Sequence, residues 1–86
     1  MARDLDKYSD AHQVIENMAR VKLAMNSHKG SIEDCSTDEI ISMLRGEVNE
    51  LEEAKELIHV IEEAADVYNF VLARVHKAIT EYRGRK

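Results

Sequence analysis

Apolar residues return every three or four positions along most of this 86-residue chain, the period of a helix with one buried face. From about Asp4 to Met25 the repeat runs Leu5, Tyr8, Val14, Ile15, Met18, Val21 and Met25 and predicts a first helix. Asn26-Ser27-His28-Lys29-Gly30-Ser31 breaks the repeat with turn formers, and Gly30 can take the positive φ that ends a helix. A second helix is expected from Ser36. Ser36 and Glu39 have the form of a capping box, in which hydroxyl and carboxylate each accept from the other's backbone N–H. Ile40, Ile41, Leu44, Val48 and Leu51 supply its stripe. Gly46 inside it costs about 1 kcal/mol relative to alanine unless close packing requires it. A third helix carries Val60, Ile61, Ala64, Val67, Tyr68, Val71, Leu72, Val75 and Ile79 and is expected to end near Tyr82.

The join between the second and third helices is not fixed by local signals. Residues 47 to 82 contain no proline and no glycine, which permits one long helix. The alternative is a sharp turn within Ala54–His59. Propensity does not choose between them.

Composition narrows the class. Charged residues are 34% of the chain, aromatics 5%, and proline is absent, as in an all-α protein with wide solvated faces. One domain over residues 1–86 is expected, with ends fraying at about 1–4 and 83–86. A chain this short buries only about 60–65% of its unfolded surface. Cys35 is the single cysteine, so no disulfide adds stability, and oligomerisation or bound metal is the remaining source. A net charge of -5 argues against duplex nucleic acid as a partner. No apolar run resembles a signal peptide or a membrane span, so a cytoplasmic protein is the expectation.

The acidic residues carry the candidate chemistry. Glu47 and Glu50 are three residues apart on one helix face, and Glu63 and Asp66 repeat that spacing. If the chain turns between the pairs, four carboxylates can converge. If it does not, Glu47 and Glu63 fall about 160° apart around one helix and roughly 24 Å apart along it. Converging carboxylates repel and are tolerable around a divalent cation. Oxygen-only ligation suits a hard ion, magnesium or manganese, rather than zinc. With eleven glutamates in the chain, such pairs also arise by chance, and Glu50/Glu53 and Glu53/Glu56 match as well.

Arg45-Gly-Glu-Val-Asn-Glu-Leu-Glu-Glu-Ala54 followed by Ile61-Glu-Glu-Ala-Ala-Asp-Val-Tyr-Asn-Phe70 resembles the MazG-type all-α nucleoside triphosphate pyrophosphohydrolases. Their signature is E-x-x-E, a spacer, then E-x-x-D. Here Glu47-x-x-Glu50 and Glu63-x-x-Asp66 stand twelve residues apart. Asn26-Ser-His-Lys-Gly30 and Asp34-Cys-Ser36 resemble the small phage and prophage members, although Ile32 stands near the place where those often carry tryptophan. The resemblance covers roughly residues 20 to 75. It implies magnesium, with manganese a substitute, cleavage of a (d)NTP to (d)NMP and diphosphate, and assembly as a dimer or tetramer with a four-helix-bundle core. The fold it implies is a helical hairpin with the N-terminal helix packed across it. Glu47, Glu50, Glu63 and Asp66 would be catalytic metal ligands, and one of them could hold the attacking water.

Candidate substrate contacts are Asn26, His28 and Lys29 after the first helix, and Asn69 one turn beyond Asp66. Lysine suits phosphate as a mobile point charge. Each also has an ordinary explanation: a helix C-terminal cation or cap for the first three, a polar helix residue for Asn69. Two other functions compete with the hydrolase. One is a non-catalytic helical interaction module shaped as a rod; the other is a relative acting on phosphoribosyl-ATP or only binding nucleotide.

Overall fold

The computed structural model describes residues 7–26 and 32–84, which form three α-helices and a short 3₁₀ turn, with no strand among them. Helix α1 is Ser9–Asn26, the 3₁₀ turn is Ile32–Asp34, α2 is Thr37–Glu53 and α3 is Leu57–Gly84. The start expected for the first helix, near Asp4, lies outside the described residues, and α3 runs two residues past Tyr82. No helix is long and apolar enough to cross a membrane among the described residues.

Helix α2 begins where its capping box says it should. The Ser36 hydroxyl accepts from the Glu39 N–H at 3.1 Å, and the Glu39 carboxylate accepts from the Ser36 N–H at 2.9 Å. Its end carries no such signature. Ala54 leaves the helix in extended conformation, φ -69° and ψ 133°. Its N–H is shared between the Glu50 and Leu51 carbonyls at 3.1 and 3.3 Å. The Glu56 carbonyl then accepts the first bond of α3 from Val60 N–H, at 2.9 Å. The chain therefore turns within the Ala54–His59 window, and the continuous rod does not form. Neither glycine nor a side-chain cap is used, which is why local signals were silent there.

Helix α3 is the spine, and both other helices pack on it. Ala65, Asn69 and Ala73 are buried at successive i, i+4 positions, a row of small side chains that lets a neighbouring backbone approach closely. Helix α1 uses it: Asn69 Nδ2 donates to the Ala19 carbonyl at 3.1 Å, and Ala19 is itself buried. One turn on, Lys22 meets Asp66. An advance of three along α1 matches a retreat of three along α3, so the two run antiparallel. The contacts of the first helix run mainly to α3. From α2, only Ile40 is fully buried.

Candidate functional site

The turn at residues 54–56 folds the end of α2 against the start of α3. Glu47 and Glu50, one turn apart, then face Glu63 on α3. One carboxylate oxygen from each of these three lies within 4.8 Å of the other two. Ligand oxygens around an octahedral magnesium ion stand about 3 to 4.2 Å apart, so small side-chain adjustments suffice for shared ligation.

The electrostatics agree with a site short of positive charge. Burial, then Asp66, Glu50 and Glu63, push the Glu47 carboxyl up to about 7. Burial, hydrogen bonding and repulsion from Glu50, and the charge of Asp66 raise Glu63 as well, against the opposing pull of Lys22. Glu47 Oε2 and Glu63 Oε2 are shut off from solvent with no hydrogen-bond partner among the described residues. A buried carboxylate oxygen without a donor is costly, and these two residues both contribute to the converging triad. Hard oxygen donors, orphaned and crowded by like charge, fit magnesium or manganese.

Asp66 stands beside this triad and is engaged differently. Its Oδ2 pairs with Lys22 Nζ at 2.8 Å, both side chains 21% exposed. Burial works against the Lys22 charge, but the Asp66 hydrogen bond and the attraction of Asp66, Glu63 and Glu62 outweigh it and raise the ammonium's pKa. All three helices therefore contribute charged groups: Lys22 from α1, Glu47 and Glu50 from α2, Glu63 and Asp66 from α3.

The candidate substrate contacts divide. Asn26 is exposed at the end of α1, one turn beyond Lys22. His28 and Lys29 lie outside the described residues. Asn69 is only 6% exposed and sits between α1 and α3, its Nδ2 spent on Ala19 and its Oδ1 unpartnered among the described residues. Its visible work is holding α1 to α3. Lys22 is the residue that sequence reasoning passed over. The available signal was its place seven after Ile15 and four after Met18, where a charge shares a face with half-buried apolar residues. Glu62 is half-buried. No protein-family model, curated protein or solved structure matches this chain.

Proposed function

We propose that this chain is a divalent-cation-dependent nucleoside triphosphate pyrophosphohydrolase of MazG-like type, converting a (d)NTP and water to (d)NMP and diphosphate. The observation that carries the reading is the convergence of Glu47, Glu50 and Glu63 oxygens within 4.8 Å across a helical hairpin. Two of those residues hold buried oxygens with no donor among the described residues. The acidic signature that resembles the MazG-type enzymes is the same set of residues, with Asp66 the fourth.

Glu47, Glu50 and Glu63 would hold magnesium, with manganese a substitute, and Asp66 would complete the set by turning from Lys22. When bound, the ion would offset the repulsion between this acidic surface and a triphosphate and make a bound water more acidic. The protein's own part is to hold the carboxylates in place and to accept a proton. Water oxygen bonds to the α-phosphorus, the bond from that phosphorus to the bridging oxygen breaks, and diphosphate leaves with the electron pair. The water's proton passes to a carboxylate of the set, acting as general base.

Assembly belongs to the same proposal. Tyr68, Leu72, Val75, Ile79 and Tyr82 follow a four-three-four-three spacing along α3 and are exposed, as in a helix seam awaiting another helix. A homodimer or tetramer with a four-helix core would cover them. That row also favours the second reading, an interaction module without catalysis, though not in its rod form.

The test is diphosphate release from standard and modified (d)NTPs and from phosphoribosyl-ATP, with magnesium and full-length protein. Release from at least one (d)NTP, lost in Glu50→Gln and Asp66→Asn variants that stay helical, is expected. Release from phosphoribosyl-ATP alone would move the assignment to that relative. Folded protein inert on every nucleotide would leave the interaction module.

A further inference from the structure

We propose that Lys22 is an exchangeable counter-ion of the acidic site: it neutralises Asp66 while no divalent cation is bound, and it turns to a substrate phosphate once Asp66 becomes a ligand. This rests on the metal-dependent reading above and adds a residue and a role that the acidic signature does not contain.

The argument begins with position. Lys22 reaches Asp66 from α1, the helix that contributes none of the four carboxylates. Its Nζ lies 2.8 Å from Asp66 Oδ2, and Glu62 and Glu63 are close enough to attract it. The ammonium thus occupies the positive end of a site whose other named groups are all acidic. A divalent cation bound by Asp66 and its neighbours would sit within a few ångströms of that ammonium, and two like charges so close in a partly shielded site repel strongly. Lysine can respond, because its charge rides on a flexible four-carbon stem that is not bound to one geometry. The α1 docking does not depend on the ion pair alone, since Ala19 and Asn69 hold the preceding turn. Freed from Asp66, the ammonium remains at the edge of the site, where an anion on the cation supplies the nearest compensating charge. Phosphate oxygens are its natural acceptors.

Two readouts of opposite sign test this. Manganese binding to full-length wild type, Lys22→Met and Lys22→Arg is followed by electron paramagnetic resonance without nucleotide. Binding of tripolyphosphate at saturating magnesium is followed by calorimetry. Lys22→Met should bind manganese about tenfold more tightly, because a competing charge is gone. It should bind tripolyphosphate about tenfold more weakly, because a charge-assisted contact is gone. Lys22→Arg should stay near wild type in both. Manganese affinity that is unchanged or weaker in Lys22→Met, or tripolyphosphate affinity that is unchanged, overturns the proposal while leaving the metal site standing. Wild type that binds no manganese overturns the metal reading itself, and this role with it. Circular dichroism checks the helices, and Lys22→Gln replaces Lys22→Met in both measurements if that variant fails to fold.

Discussion

Glu47 should dominate the pH dependence of stability. Its folded-state pKa, about 7, lies above the ordinary 4.5 of a glutamate, and Glu63 is displaced the same way. The folded chain then binds protons more tightly than the unfolded chain between those two values. Stability from this source is present at low pH and is lost as pH rises from about 4.5 through about 7. With chelator present, the melting temperature should be higher at pH 5 than at pH 7.5. Glu47→Gln should raise it at pH 7.5 and flatten the dependence, while removing metal binding. Magnesium should stabilise wild type at pH 7.5 and do little at pH 5, because the ligands must be deprotonated. A metal-free melting temperature that rises over this range would contradict the account. The acid cluster would thus weaken the fold that carries it, as function-bearing residues often do.

Among the elements, α2 gives two measurable handles. The reciprocal Ser36–Glu39 cap was legible in the sequence because both partners lie within one turn. Ser36→Ala should cost about 1 kcal/mol in chemical denaturation. Gly46 is exposed, and a Cβ built on it meets nothing within 4 Å. Close packing within the chain does not require it, so Gly46→Ala should add about 0.5 to 1 kcal/mol. A loss instead would mean that a neighbouring chain approaches α2 at that point. The α1–α3 contact differs in kind. Asn69 ties its amide to a backbone carbonyl fifty residues away in sequence. Its spacing from Asp66 marked a face of α3, but nothing local marked its partner.

At the scale of the whole molecule, few apolar side chains are buried among the described residues. Among those residues the buried apolar side chains are Ala19, Ile40, Ala65 and Ala73, three of them alanines. The radius of gyration is 14.5 Å, against about 12 Å for a compact domain of this length. Tyr68, Val71, Leu72, Val75, Ile79 and Tyr82 remain exposed along α3. Arg74, Val75, Ala78, Ile79 and Tyr82 line an open hollow of about 520 Å³ at its C-terminal end. Sedimentation equilibrium should therefore find a dimer or larger species. Leu72→Lys with Ile79→Lys should shift it toward monomer and lower the melting temperature. A wild-type monomer at micromolar concentration, with a cooperative melt, would remove the case for assembly.

The sequence by itself determined what depends on neighbours within a few residues. The apolar period marked three helices, Ser36 and Glu39 marked the start of α2, and the E-x-x-E and E-x-x-D spacings placed each acidic pair on one helix face. Tertiary structure alone decided whether those pairs meet. The turn at Ala54–Glu56 uses an extended alanine and shared backbone bonds, which many residues could make, so no side chain announces it. Antiparallel packing of α1 on α3 then brought Lys22 to Asp66, a pair 44 positions apart. Helical periodicity is a local property of the backbone; the meeting of charges from separate helices depends on which faces bury each other.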